Sequence, residues 1–197
     1  MNGTVLITGK AKKQTDNLSG KVREVLFQLV QEIGTTGPVR GDWPNYSKLS
    51  GDRHHCHLKK GKPCYVAIWW VDKGKIRFIE VHMQEPTKKH HTENDIVTLR
   101  LKVHRSNAAK VKEFVRALEE GKERAYSVAE VFPEYISQGK TIALRAYRTR
   151  EDLTQRELAE KVGIPQRHIS EMENGKRPIG KEMAKRFSEA LGVDYRV

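Results

Sequence analysis

The chain has 197 residues, a formal net charge of +12 and a pI near 9.7. Such a length suits one large or two small domains and buries enough apolar surface to fold without disulfides; its two cysteines, Cys56 and Cys64, are too few for a disulfide framework. No apolar run approaches the roughly 20 residues that cross a membrane, and the opening stretch has only the apolar core Val5-Leu6-Ile7 where a signal peptide needs a longer one, so a cytoplasmic, membrane-free protein is expected.

The positive charge is shared along the chain. Residues 1–95 carry sixteen Lys/Arg against ten Asp/Glu, and residues 96–197 carry twenty-one against fifteen. Both halves therefore favour a polyanionic partner, without saying which one.

Val5-Leu6-Ile7 reads as a short strand. Asp16, Asn17 and Ser19 offer caps for a helix on which Leu18, Val22, Val25, Leu26, Leu29, Val30 and Ile33 recur at three- and four-residue spacing; Gly34 and Gly37-Pro38 are its stop signals. Tyr46–Leu49 and His54–Leu58 are short strands around a Gly51-Asp52 turn. Tyr65–Val71 is a nearly continuous apolar run, as a buried central strand has, with Trp69 and Trp70 read as core rather than as base-stacking platforms. Asp72-Lys73-Gly74 is a hairpin turn into Lys75–Met83, where Ile76, Phe78, Ile79 and Val81 are the apolar members.

Residues 84–95 contain no large apolar residue and read as a linker. Val97, Leu99, Leu101 and Val103 alternate with polar residues, giving a half-buried strand. Ser106 or Asn107 then caps a helix with Val111, Phe114, Val115 and Leu118 on one face, ended by Gly121. Ser127 and Glu130 form a capping box for a short helix stopped by Pro133, and the remainder reads as helical. The expected fold class is α+β: an N-terminal domain of a helix with a small antiparallel sheet (1–92), a strand-helix segment (93–138) and an all-α domain (139–197).

The last of these carries the most specific pattern. Thr154 caps a helix, with Glu157 as its box partner; Leu158, Ala159 and Val162 face inward, and small Ala159 lets a second helix cross closely. Gly163 suits a left-handed helix end, Ile164 fills the turn, Pro165 is tolerated at the next helix start, and Ile169 and Met172 anchor that second helix. Gln166, Arg167 and Ser170 are left on its outer face. With Gln155 opening the first helix and Glu173-Asn174-Gly175 following the second, the stretch closely resembles the lambda-repressor and Cro (XRE) type of helix-turn-helix over about residues 139–193. The resemblance implies that Gln155 meets phosphate at a helix N-terminus, that Gln166, Arg167 and Ser170 read base edges beside Asn174, that Lys176 and Arg177 pair with backbone phosphates, and that the protein binds double-stranded operator DNA as a homodimer.

In the front half, His55 and His57 lie two apart and share one strand face, while His54 and Cys56 take the other. Arg53, Lys59, Lys60 and Lys62 put positive charge beside them, with Arg77 on a later strand. Histidine titrates near neutrality, and metal-free RNA cleavage needs a proton-transfer group and cations around the phosphorane. His57 as base or acid, His55 as its support, and Arg53, Lys59 and Arg77 as phosphate clamps make one such set; a solvated basic loop with idle histidines is the alternative. Zinc is not expected, because the His55-Cys56-His57 order turns Cys56 away from its neighbours, and no other cofactor is implied. Asp42–Leu49, Arg53–Lys60, Tyr65–Trp70 and Ile76–Val81 resemble the RelE-superfamily toxins of the HigB-like kind, most of which cleave mRNA on the ribosome. The Gly-Thr-His…Tyr stretch with which relatives often close has no counterpart in His82–His91, which lacks a tyrosine but offers His82, His90 and His91.

With a strand and helix ahead of the DNA reader and the stretch Glu171–Lys185 after its first helix, the chain from about Ile96 onward resembles an antitoxin of the HigA-like kind. Together the resemblances imply a type II toxin–antitoxin pair in one polypeptide: an autorepressor fused to an mRNA endonuclease, active or inactive, whose basic groove the antitoxin part covers. The rival expectation is a transcriptional regulator whose front domain senses or dimerises without catalysis.

Overall fold

The computed structural model describes residues 4–49, 52–72, 74–84, 102–111 and 124–194. Thr4–Ile7 forms β1, whose alternation turns Val5 and Ile7 into the core. Thr8 then caps a helix absent from the sequence reading, α1 (Gly9–Asp16), its hydroxyl accepting from the Ala11 N–H. The apolar periodicity of the next segment yields α2 (Gly20–Thr36), with Val22, Val25, Leu26, Leu29, Val30 and Ile33 buried. Gly34 lies inside this helix; the end comes at Gly37, whose φ of 100° admits no ordinary side chain cheaply.

Four strands follow: β2 (Ser47–Lys48), β3 (Arg53–His57), β4 (Cys64–Asp72) and β5 (Lys75–Gln84). They form an antiparallel meander, with a register shift at Ile68/Trp69. Contrary to the expected all-antiparallel sheet, β1 returns to pair parallel with β5, Val5 opposite Ile76 and Ile7 opposite Phe78. Parallel neighbours need a long crossover, and α1, α2 and three strands supply it here. A sixth strand, β6 (Tyr126–Ser127), adds antiparallel to the outer edge of β1, completing the order β2-β3-β4-β5-β1-β6.

Of the strand expected at Val97–Val103, only Lys102 and Val103 are described, and they belong to no element; the 84–95 linker lies outside the described residues after Gln84. The helix expected after Ser106 begins as a 3-10 turn (Arg105–Asn107) and continues as a helical turn over 108–111 (α3), beyond which it leaves the described residues. The Ser127–Glu130 capping box opens α4 (Val128–Val131) as expected, both reciprocal bonds being made.

The last four helices are α5 (Gly139–Arg150), α6 (Gln155–Val162), α7 (Gln166–Glu173) and α8 (Lys181–Leu191). They enclose a second core of Leu144, Tyr147, Leu158, Ala159, Val162, Ile169, Met172, Phe187 and Leu191. The first core lies between the sheet and α1–α2, and it also takes in Val131, Phe132, Ile142 and Ala146. Helix α5 thus serves both cores: Ile142 and Ala146 face α2, while Leu144 and Tyr147 face the helical bundle.

Polar groups lock this junction. Arg145 forks onto both carboxylate oxygens of Glu24 on α2. The Tyr147 hydroxyl donates to Glu32 at 2.6 Å and accepts from Gln28 at 2.9 Å, and Glu32 also accepts the Trp43 indole N–H at 2.7 Å. Arg150, its side chain only 2% exposed, lies between the Trp43 and Tyr147 rings, 5.3 Å from each centroid. It reaches the Leu191 carbonyl at 2.8 Å, which ties α8 to the same point.

Candidate nucleic-acid interface

The pair α6–α7 forms for the local reasons that the residues suggest. Thr154 accepts from the Glu157 N–H at 3.2 Å and donates its own N–H to the Glu157 carboxylate at 2.7 Å, a reciprocal cap that holds the Glu157 carboxyl below its usual range. Gly163 ends α6 in the left-handed conformation (φ 67°, ψ 40°). Pro165 leads into α7, and Ile169 and Met172 turn inward against Leu158, Ala159 and Val162.

That inward anchoring fixes the outward face. Gln166 and Arg167 are exposed in the first turn of α7, Ser170 is half-buried one turn on, and Asn174 is exposed at its C-cap. The Asn174 amide donates to the Ser170 carbonyl at 2.8 Å. At the N-terminus of α6, the Gln155 carbonyl oxygen accepts from the Gln166 amide at 2.6 Å, while the Gln155 amide donates to Glu173 at 2.8 Å. One chain of hydrogen bonds therefore joins the first residues of both helices.

Beneath it lies a pair that the sequence reading missed. Arg148 grips both carboxylate oxygens of buried Glu173, at 2.6 and 2.9 Å, and donates to the Leu153 carbonyl at 2.8 Å. Glu173 stands in the sequence as one member of an Asn-Gly turn, with no local sign that it is only 2% exposed. The pairing of Glu171 was not foreseen either: it lies 3.2 Å from Arg167 and 2.9 Å from Arg177. Arg177, expected on phosphate, is held by that carboxylate; Lys176 is exposed beside it. Arg177 and Arg167 keep the Glu171 carboxyl below its usual range, the Arg177 hydrogen bond acting most strongly.

The front-half residues spread over the sheet. His55 and His57 share a face, ring centroids 6.4 Å apart, while His54 stacks on Trp69 and Cys56 is fully buried on the core side. His57 Nδ1 lies 2.9 Å from the Asn45 amide and 3.1 Å from Cys64 Sγ, and burial pushes the Cys64 thiol up. His55 Nδ1 meets the Ser47 hydroxyl at 3.0 Å. The ladder places Arg53 and Arg77 across Trp70 from each other, two strand spacings or about 10 Å apart. It places His57 across Val66 from His82, about 13 Å along β3 from the Arg53 row. Trp69 is core, and Trp70 is half-buried on the histidine face. Lys59 pairs with Asp152, in the turn before α6, at 2.7 Å; its neighbour Lys60 pairs with Glu151 there. Gly61, at φ +76°, passes so close to Asp152 that a Cβ would overlap its carboxylate. Among the described residues, no group of three or more His, Cys, Asp or Glu is arranged to hold a metal ion, and no helix is long and apolar enough to cross a membrane.

A family model described as helix-turn-helix matches residues 144–197, from the middle of α5 to the end of the chain. The match and the geometry agree: this region is a helix-turn-helix, the kind of unit with which transcriptional regulators bind double-stranded DNA. Comparison with curated proteins and with solved structures gave no match for the chain.

Proposed function

We propose that the chain is a sequence-specific repressor that places α7 in the major groove of its operator. The observation carrying this reading is the outward face of α7: Gln166 and Arg167 are exposed in its first turn while Ile169 and Met172 hold the opposite side in the core. Glutamine pairs with adenine and arginine with guanine through two hydrogen bonds each. Ser170 and Asn174 extend the same edge. Gln155 at the N-terminus of α6, with Lys176 and Arg177, serves the phosphates that set register. A homodimer presents two such helices to half-sites about 34–36 Å apart. Selecting bound duplexes from a random pool with the full chain yields the operator. On it, Arg167→Ala costs about 1–3 kcal/mol and relaxes preference at one base position. A pool that returns no preferred sequence would sink the reading; an unchanged preference at every position would show that Arg167 reads no base.

A second reading is favoured by the contacts of Lys59 and Lys60 with Asp152 and Glu151. Here the front sheet is a RelE-superfamily, HigB-like toxin acting on mRNA, and the remainder a HigA-like antitoxin fused to it. His57 transfers the proton, His55 supports it, and Arg53, Lys59 and Arg77 carry the phosphate charge, with the acidic turn before α6 engaging the lysines. Because Phe132, Ile142 and Ala146 fill the front core, the whole chain is the object to test. Expressed in bacteria, the Glu151→Gln, Asp152→Asn double variant arrests growth and cleaves mRNA under this reading, and adding His57→Ala abolishes both. Unaltered growth leaves the front sheet as a non-catalytic part of the repressor.

A further inference from the structure

Glu171 is out of character with its surroundings. It sits on α7 one turn beyond Arg167, on the side that the reading above turns toward a polyanion, in a chain with twelve more positive than negative side chains. A carboxylate there is repelled by every phosphate that approaches. Its two oxygens are both engaged: Oε1 lies 3.2 Å from the Arg167 Nε, and Oε2 accepts from the Arg177 Nε at 2.9 Å. It therefore holds two of the cations that α7 and the following turn have to offer.

We propose that Glu171 is a specificity-determining residue of the DNA reader, holding Arg167 in a pose that suits one base pattern and penalising DNA that lacks it. The proposal rests on the operator-binding reading. A guanidinium carries five N–H donors in a fixed fork. With Nε turned to Glu171, Arg167 still presents its terminal N–H edge, and that edge matches the O6 and N7 acceptors of guanine. Held in place, the side chain has less freedom left to lose on binding. On a wrong sequence the alternative for Arg167 is a phosphate, whereas Arg177 can serve the backbone through its terminal N–H groups with Nε still on Glu171. For Arg167, reaching a phosphate means leaving Glu171 and exposing the Oε1 side of that carboxylate to the backbone. The right base keeps the pair and the wrong one breaks it, so the discrimination arises from repulsion as much as from attraction.

The test uses the full chain and two fluorescent duplexes, one selected from a random pool by the unaltered protein and one a scramble of equal length and composition. With Glu171→Gln, the ratio of the two affinities falls by about tenfold, the scale of one specific base contact. Most of the fall comes from tighter binding to the scramble, whose salt dependence steepens by about one phosphate. In an Arg167→Ala background the same substitution changes the ratio far less. Glu171→Asp, which keeps the charge but shortens the reach, lowers the ratio without tightening the scramble. A ratio that Glu171→Gln leaves unchanged or raises overturns the proposal. That result differs from failure of the operator reading, in which the unaltered chain selects no sequence at all.

Discussion

Two sets of charged side chains in this molecule use the same residue types under opposite conditions. Glu32, Glu173, Arg148 and Arg150 are buried, each met by partners that leave little freedom. Arg167, Glu171 and Arg177 lie on the outer side of α7 and the turn after it, where water competes for every bond. In the first set the pairing was completed when the chain folded, and removing one partner strands a charge away from water. In the second the side chains stay within reach of solvent, so a phosphate or a base edge can add to the pairing. Burial thus decides whether an Arg–Glu pair is an element of stability or part of a recognition surface.

The largest expected effect follows from the first set. Arg148→Ala leaves the Glu173 carboxylate in the core with only the Gln155 amide for a partner, and should cost about 3–5 kcal/mol of stability. Denaturant unfolding of the two proteins measures it; a loss below about 1 kcal/mol would mean that Glu173 escapes to water and that the buried–exposed contrast is false. Next comes Tyr147→Phe, which removes the hydroxyl shared by Glu32 and Gln28. Burial, then the Glu32 charge, keeps that phenol neutral far beyond its usual range, so the hydroxyl keeps its proton to donate to Glu32. Hydrogen bonds to charged groups are worth about 1.5–3 kcal/mol, and that is the expected loss. Because the bond spans the junction between α5 and α2, the variant also separates front-half from C-terminal melting if the junction is what couples them.

How much of this was readable beforehand depends on the range over which each feature is determined. The α6–α7 unit was readable almost residue by residue, because a capping box, a left-handed glycine and an inward triplet at Leu158, Ala159 and Val162 are local rules. Helix α2 was readable from its apolar period. Helix α1 was not: among Gly9-Lys-Ala-Lys-Lys-Gln-Thr-Asp16 only Ala11 and Thr15 are buried, too few to make a period. The junction was unreadable because a glutamate's charge signals an exposed position, whereas Glu32 is buried against a tyrosine 115 residues away. In the front half, strand alternation told His55 and His57 from His54 and Cys56. It could not tell that Lys59 turns to Asp152, since that contact depends on where α5 docks.

A smaller effect sharpens the exposed side of the comparison. Lys176 is exposed beside Arg177 and faces no buried partner set. Lys176→Ala should leave stability within about 0.5 kcal/mol of the parent, weaken binding to selected and scrambled duplexes alike, and reduce the salt slope by about one. A sequence-dependent loss would make Lys176 a base reader instead.

The smallest effect is a pH dependence that returns to the buried side. His54 is 3% exposed, packed against both Tyr46 and Trp69, with Nδ1 2.8 Å from the Tyr46 hydroxyl. Burial, helped by Lys48 and opposed by Asp52, lowers its pKa below the ordinary 6.5. Well above pH 6.5 the ring is neutral in both the folded and the unfolded chain, and its contribution to stability is constant. Below that value the unfolded chain takes up a proton that the folded one refuses, so stability falls with pH until the folded pKa is passed, and then levels off. His54→Phe keeps the stack and removes the titration. At pH 8 the variant should be less stable than the parent by about 0.5–1.5 kcal/mol, the worth of the lost Tyr46 bond. As pH drops to 5 that gap should close, because only the parent is paying for a neutral ring. A gap that stays constant from pH 8 to 5 would show that His54 titrates in the folded protein as it does in the unfolded chain, and that its burial against Trp69 does not exclude the charged form.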